Sequence, residues 1–313
     1  MKSLRQIIER VRQNPERPWA LATLVETQGS TYRKPGARML VGANGESIGV
    51  LSGGCLEEEI VRRGREVIES GAPALLTFDT RRFYGCDGQV RILVERVPPA
   101  DAHGNFMTGL GEAFDRRITC RLRTCYEGAK LGTTLLAAAG LMAECPGTFV
   151  HCVPLPVRLL LFGTGPEIAP VKQIVQTLGW DAPQFGHASE LPDDFRSDSQ
   201  TAAVVMTHNF GRDLAALDRL LALSLPYVGL LGPQKRSRQL IEELYTNRAL
   251  DSASLKRIHA PAGLDLGSEA PEEIALSIVS EVAAVLANRQ GSHLRDRASG
   301  IHVAGEDSAQ NVA

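Results

Sequence analysis

The apolar positions along this chain change rhythm between its two halves. Leu4, Ile7, Ile8 and Val11 fall at helical spacing and predict an opening amphipathic helix. Residues 19–26 read as a strand. The loop Gly29-Ser30-Thr31-Tyr32-Arg33-Lys34-Pro35-Gly36-Ala37-Arg38 follows. Residues 39–41 and 47–51 predict a hairpin turned by Asn44-Gly45, a pair suited to the positive φ angles of a tight turn. Gly53-Gly54-Cys55 comes directly after, and residues 56–69 predict a helix stopped by Gly71. Residues 74–78 and 89–97 predict two further strands around Gly85-Cys86-Asp87-Gly88. This half is mixed α and β, with mainly antiparallel pairing expected.

Residues 98–149 hold no single period. Residues 118–125 and 133–139 are candidate strands, and Gly111, Gly128, Gly132, Gly140 and Gly147 punctuate the stretch. Its apolar content is too high for disorder, so it reads as a subdomain of the first half or a structured connector. From Pro156 the rhythm becomes strand–helix. Residues 159–162, 202–206 and 227–231 are short apolar runs of the kind buried in parallel sheets. Between and after them, helices are predicted up to Leu178, near 214–223, over 234–245 and over 272–287. Alternation of this kind predicts a parallel sheet covered on both faces. The fold class expected is α/β: a mixed α+β domain over residues 1–150, with 98–150 a candidate connector, then a Rossmann-like domain over 151–289. Residues 290–313 are polar and aperiodic and are expected to form a flexible tail.

A chain of 313 residues exceeds the usual single domain, which agrees with that division. With 43% apolar and 22% charged residues the profile is that of a soluble globular protein. A formal charge of -2 speaks against nucleic acid or an acidic membrane surface as partner. No apolar run reaches membrane-spanning length, and the charged N-terminus has no signal-peptide core, so a cytoplasmic location is expected. The cysteines are Cys55, Cys86, Cys120, Cys125, Cys145 and Cys152. No Cys-x-x-Cys occurs, which argues against a zinc site or a redox dithiol.

Two glycine turns carry the candidate chemistry. In the first, Gly53 and Gly54 permit a tight turn with open amides, and Cys55 stands at the start of a helix whose dipole favours a thiolate. Arg33, Lys34 and Arg38 in the neighbouring loop could add positive charge. Such a thiolate suits a soft metal or a sulfur-transfer step; the plainer alternative is a small residue filling a helix cap. In the second, Gly163-Thr164-Gly165 joins a strand to a helix, where amides can receive an anion, and Pro166 suits the first helical position. The full dinucleotide fingerprint is not met. Ile168 takes the place of its third glycine, Glu167 would put a carboxylate beside a phosphate, and Gly186-His187 stands where an acidic residue is expected. His208 follows a buried strand at the edge where such sheets bind ligands, and reads either as a ligand contact or as a hydrogen-bonded structural residue.

Several of these segments, in order, resemble the XdhC/CoxI family of accessory proteins that mature molybdenum hydroxylases. They are Glu26 to Gly36 (ETQGSTYRKPG), Leu51-Ser52-Gly53-Gly54-Cys55-Leu56-Glu57, Gly163-Thr164-Gly165-Pro166-Glu167, Met206-Thr207-His208-Asn209, Tyr227-Val228-Gly229-Leu230-Leu231-Gly232 and Pro261-Ala262-Gly263-Leu264-Asp265-Leu266-Gly267. Gly85-Cys86-Asp87-Gly88 resembles the family's second cysteine motif, from which Asp87 departs. Gly186-His187-Ala188, Asn209 and Gly232-Pro233-Gln234 also depart from the family pattern. The resemblance implies a protein that binds molybdenum cofactor (molybdopterin), transiently, supports its sulfuration and delivers it to a xanthine-dehydrogenase-like apoenzyme. That is an accessory role rather than turnover of a metabolite. It implies Cys55 as the thiolate for molybdenum, and Arg33, Arg38, Gly53, Gly54, Cys86, Gly163, Gly165 and His208 as further cofactor-binding positions. A cysteine desulfurase and a second copy of this chain are candidate partners, and NAD(P) is not expected as a cofactor. The readings from other classes are a Rossmann-type NAD(P)-dependent oxidoreductase and a non-catalytic interaction module.

Overall fold

The computed structural model describes residues 2–29, 31–54, 56–79, 88–99, 105–136, 146–248 and 252–296. It forms two compact units, one running to Leu155 and one beginning at Pro156. The division falls just past residue 150 because β8 (Thr148–Val153) pairs along β6 (Cys120–Cys125) and belongs to the first unit.

Unit 1 opens with α1 (Lys2–Gln13), which buries Leu4, Ile7, Ile8 and Val11 as their spacing predicts. Next come β1 (Trp19–Gly29), β2 (Arg38–Gly42), β3 (Ser47–Ile48), α2 (Glu57–Ser70), β4 (Ala74–Asp79) and β5 (Gly88–Arg96). These strands make an antiparallel sheet in the order β3-β2-β1-β5-β4. Side chains alternate across it. Ala20, Ala22, Leu24, Met39, Val41, Ile92 and Val94 pack on α2 through Ile60, Val67 and Ile68. Leu21 and Leu40 face the other way, toward α1, α3 (Phe106–Asp115) and a second sheet of order β7-β6-β8, where β7 is Gly132–Leu136. Each fully buried Leu, Ile or Val in these two layers contributes about 1.5–3 kcal/mol.

The hairpin has the expected register, Leu40 opposite Ile48, but β3 stops at Ile48 rather than running to residue 51. At Gly49 φ is +97°, and a Cβ there would stand 2.4 Å from the Arg38 carbonyl, so the chain leaves the sheet. Helix α3 went unread in the sequence because Gly109 and Gly111 break its propensity. Both glycines are explained by close approach: a Cβ at Gly109 would meet Leu135 at 2.6 Å, and one at Gly111 the Arg12 guanidinium at 2.6 Å. The helix is started by Asn105, whose side chain accepts from the Met107 and Thr108 amides.

Unit 2 contains β9 (Arg158–Phe162), α4 (Ile168–Leu178), β10 (Gln184–Phe185), a 3-10 turn at Ala188–Glu190, β11 (Thr201–Val205), α5 (Phe210–Leu221) and β12 (Val228–Leu230). After them come α6 (Gln234–Arg248), α7 (Ser252–Lys256), β13 (Ile258–His259) and α8 (Pro271–Leu286). The sheet order is β10-β9-β11-β12-β13, parallel throughout. Leu159, Leu161, Ala202 and Val204 pack against α4 and α8, while Leu160, Phe162, Ala203 and Val205 pack against α5 and α6. This is the doubly covered parallel sheet expected from the continuous apolar runs. Strand order reverses between β9 and β11, so the crevice at their carboxyl ends is the switch point where such sheets receive ligands.

Candidate functional site

The first glycine turn lies between Leu51 and Leu56, both buried against α2. Glu57 closes it from below. Its carboxylate accepts from the amides of Leu51 (3.1 Å), Ser52 (2.8 Å) and Leu56 (3.2 Å) and from the Ser52 hydroxyl (2.5 Å). The Ser52 oxygen accepts in turn from the Leu56 (3.1 Å) and Gly54 (3.3 Å) amides. Burial pushes the Glu57 carboxyl upward, but the hydrogen bonds from Ser52, Leu51 and its own amide outweigh it, and the pKa ends below the usual carboxylate value. Sequence reasoning missed this clamp because the Ser52 to Glu57 spacing is longer than that of a capping box.

Above the clamp the turn is open. Gly53 and Gly54 are exposed, and a Cβ built on either meets nothing within 4 Å among the described residues. Gly54 requires glycine for its φ of +110°. Helix α2 begins at Glu57 with Leu56 as its N-cap, and carries Glu57, Glu58 and Glu59 in its first turn. The dipole expected to favour a thiolate is thus opposed by carboxylates, one of which is spent on the clamp. Cys55 and Cys86 lie outside the described residues.

Arg33 is exposed on the loop before β2. Arg38 corrects an expectation. Its side chain does not add charge beside Gly53 and Gly54; it shares the sheet face of Leu40, opposite α2, and is only 4% exposed. Its Nη1 donates to the Gly36 carbonyl (2.9 Å) and to His151 Nδ1 (3.1 Å). Cys120 is buried and unbonded to another cysteine, and burial raises its pKa to about 11, the reverse of an activated thiol. Among the described residues no group of His, Cys, Asp and Glu is arranged to hold a metal ion, and no helix is long and apolar enough to cross a membrane.

The second glycine turn sits at the switch point of unit 2. Gly163 is part of the frame: its amide donates to the Phe185 carbonyl (2.9 Å), its φ is +144°, and a Cβ would lie 2.4 Å from the Met206 carbonyl oxygen. Gly165 lies under two side chains, where a Cβ would meet Glu167 Oε2 at 2.7 Å and His208 Nε2 at 3.1 Å. Those atoms face each other at 3.4 Å. His208 reaches this place from a left-handed backbone, φ +57°, uncommon for a residue with a Cβ. Pro166 precedes the helix rather than opening it, because a turn closed by the Ile168 amide on the Gly165 carbonyl (3.2 Å) delays α4 to Ile168.

Two carboxylates not anticipated support this crevice. Glu190 accepts from the Gly186 amide at 2.8 Å, so the end of β10 does carry an acidic group, folded back from the following 3-10 turn. Asp213, fully buried, accepts from the Thr207 amide (3.2 Å) and hydroxyl (2.5 Å) and pairs with Arg236, which fixes the loop bearing His208. Counting forward to the residue after a strand finds neither, since both act from a helical turn further along.

Comparison with known proteins places these features in a family. Residues 13–79 match the XdhC and CoxI family, and residues 159–282 match the XdhC Rossmann domain. A probable subunit of xanthine dehydrogenase from Bacillus subtilis is 27% identical, over 84% of this chain and 91% of that protein. The molybdenum cofactor insertion chaperone PaoD of Escherichia coli is 23% identical, over 85% of this chain and 82% of that protein. A crystal structure of a xanthine dehydrogenase from Bacillus halodurans superposes with a TM-score of 0.74 at 22% identity, over 94% of this chain and 98% of that one, a likeness of fold. Both halves match in the order the motifs require, and the chain belongs to the XdhC/CoxI family.

Proposed function

We propose that this protein is a maturation factor for a xanthine-dehydrogenase-like molybdenum hydroxylase, with molybdenum cofactor as its cargo. The coarse role is supported by its relatives, one a probable subunit of xanthine dehydrogenase, the other a molybdenum cofactor insertion chaperone. The observation that carries the site is the open glycine turn: a Cβ at Gly53 or Gly54 meets nothing within 4 Å among the described residues, while Glu57 and Ser52 hold the backbone beneath them. The residues present fit an anionic, sulfur-rich cargo in three ways. Space stands over the glycines, the Gly53 amide carries no hydrogen bond among the described residues, and Cys55 supplies a soft sulfur next in sequence. Arg33 is the exposed cation of the neighbouring loop.

In this reading Glu57 and Ser52 are positioning residues that keep the turn from collapsing. Cys55 holds the metal end, and the cargo is sulfurated with a cysteine desulfurase before transfer to the apoenzyme. Bound molybdenum and pterin are to be measured on protein made in a cofactor-producing host, for wild type, Cys55→Ser and Cys120→Ser. Cys55→Ser should lose most of the bound metal, because a hydroxyl is a harder and more weakly ionised ligand. Cys120→Ser should retain it. Equal retention by Cys55→Ser and wild type would sink the thiolate role and leave a backbone-only cradle.

Glu190 favours a second reading, in which the unit 2 crevice receives a ribose-bearing ligand, since a carboxylate at the end of the second strand is where such hydroxyls are held. Glu167 opposes it, its carboxylate lying over the glycine turn where a phosphate would sit. Calorimetry with NAD(H) and NADP(H) decides the matter: weak or absent binding is expected, and low-micromolar affinity would promote the oxidoreductase.

A further inference from the structure

The polar layer between the two sheets of unit 1 is not explained by a cargo held at Gly53 and Gly54, which lie beyond the opposite face of the larger sheet. Arg38 is its centre. One end of the guanidinium is engaged, Nη1 donating to the Gly36 carbonyl and to His151 Nδ1. Arginine has no acceptor, so His151 Nδ1 must be the unprotonated nitrogen. The other edge, Nε and Nη2, is buried without a hydrogen-bond partner among the described residues. These two N–H groups point side by side, the fork with which arginine binds two oxygens of one oxoanion. Directly across the strand pair from Arg38, and on the same face, stands Thr23, fully buried, with Oγ1 also unpartnered among the described residues.

Among the described residues the carboxylate that feels Arg38 is Glu95, and it is turned elsewhere. Its carboxyl accepts from the Thr133 amide (2.8 Å) and hydroxyl (2.5 Å) and meets Arg38 only through the field. Burial also raises the Glu95 pKa, which shifts it toward the neutral form and reduces its competition with an anion. Gly36, φ +95°, lies against the His151 ring, where a Cβ would come within 3.0 Å, so the loop before β2 covers this layer. Buried donors are paired almost without exception, so a charged fork and a neighbouring hydroxyl that find no partner among the described residues can take an acceptor from outside.

We propose that Arg38 and Thr23, with His151 orienting the guanidinium, form an internal binding site for a small tetrahedral oxoanion between the two sheets of unit 1. Two oxygens of the ion accept from Nε and Nη2 of Arg38, and the Thr23 hydroxyl donates to a third. With Arg38 only 4% exposed and Thr23 fully buried, the site would take a small free inorganic ion rather than the phosphate of a larger molecule. This site stands independently of the cargo site.

The full chain is titrated with sulfate, phosphate and phenyl phosphate at constant ionic strength, chloride making up the balance, with heat release and thermal unfolding as readouts. Sulfate and phosphate should bind and raise the melting temperature, and phenyl phosphate should not. Thr23→Val, nearly isosteric, should fold and weaken sulfate binding about threefold or more, and Arg38→Lys, which keeps the charge but loses the fork, by about tenfold or more. Crystals soaked in selenate should show an anomalous peak within hydrogen-bonding distance of Arg38; if Arg38→Lys does not fold, that peak and Thr23→Val carry the test. Absence of a sulfate effect beyond chloride overturns the site. So does an undiminished effect in Thr23→Val with the selenium peak elsewhere. Phenyl phosphate binding as tightly as phosphate overturns the selection of a free ion.

Discussion

The two glycine turns of this chain look alike in one dimension and differ in three. Gly53-Gly54 and Gly163-Thr164-Gly165 each precede a helix, and each reads as a place where backbone amides receive an anion. Around the first, added Cβ atoms meet nothing, and the acidic residue that follows reaches under the turn to brace it. Around the second, one glycine is pressed on the Met206 carbonyl and the other is covered by Glu167 and His208. A glycine pair therefore has two distinct meanings. In unit 1 it leaves open space among the described residues; in unit 2 it makes room for the chain itself. Where the next carboxylate points decides which.

The sharpest way to break that contrast is Gly163→Ala. A methyl group there meets Met206 oxygen at 2.4 Å from a backbone with φ of +144°, so both overlap and strain oppose it. A loss of about 3 kcal/mol or more is expected, enough to unfold unit 2 at moderate denaturant. Denaturant unfolding followed by circular dichroism measures it, and a change under about 0.5 kcal/mol, the range of ordinary surface substitutions, would show that the turn is not packed as described.

Glu57→Gln comes next. It removes a charged acceptor of three amides and a hydroxyl, at a cost of about 1–2 kcal/mol. The sign of its pH dependence follows from the lowered pKa. The folded protein holds Glu57 ionised more readily than the unfolded chain does, so the contribution is complete above the unfolded carboxylate value, about 4.3, and is lost as pH falls through the folded value. The difference in stability between wild type and Glu57→Gln should shrink in that acid window; a difference that stays constant from pH 7 to about pH 3 would remove Glu57 as the clamp.

A smaller effect is expected from Glu167→Gln. Neutralising the carboxylate above Gly165 should strengthen binding of a nucleotide phosphate by about fivefold to tenfold, the effect of removing one nearby like charge. Calorimetry with NADH compares the two proteins. Unchanged affinity would mean that phosphate does not approach this turn at all.

Much of the fold was legible because burial writes its period into the sequence. α1, β1, the Asn44-Gly45 hairpin, α2 with its stop at Gly71, and the β9, β11 and β12 runs all follow from spacing and punctuation. α3 was hidden because its glycines answer to Leu135 and Arg12, partners distant along the chain. β8 was hidden because it alternates weakly, its residues half-buried at the sheet edge. The two glycine turns were legible as turns before helices, less so the side chains that support them. Glu57, Glu190 and Asp213 each fold back onto an earlier turn, and no local spacing rule marks a side chain that does so. Arg38 shows the opposite error: a basic residue in a basic loop is assigned to the surface, yet strand alternation carries it inward.

The smallest expected effect on stability is the most informative about the open turn. Gly53→Ala adds a methyl group where no atom of the described residues stands within 4 Å, at a position without a left-handed φ. Folding stability should therefore change by no more than about 0.5 kcal/mol, with any gain arising because alanine restricts the unfolded chain. If the space over the turn belongs to the cargo, the same methyl group must compete with it. Molybdenum and pterin retained by Gly53→Ala should fall while unfolding curves overlay those of wild type. Gly71→Ala is the control: it too meets no atoms within 4 Å, but its φ of +72° caps α2, so it should lose stability by about 1 kcal/mol and keep its cargo. Opposite responses from two glycines at the two ends of one helix would separate room for a ligand from room for a backbone. Full retention of cargo by Gly53→Ala would show that the turn, though open, is not where the cargo rests.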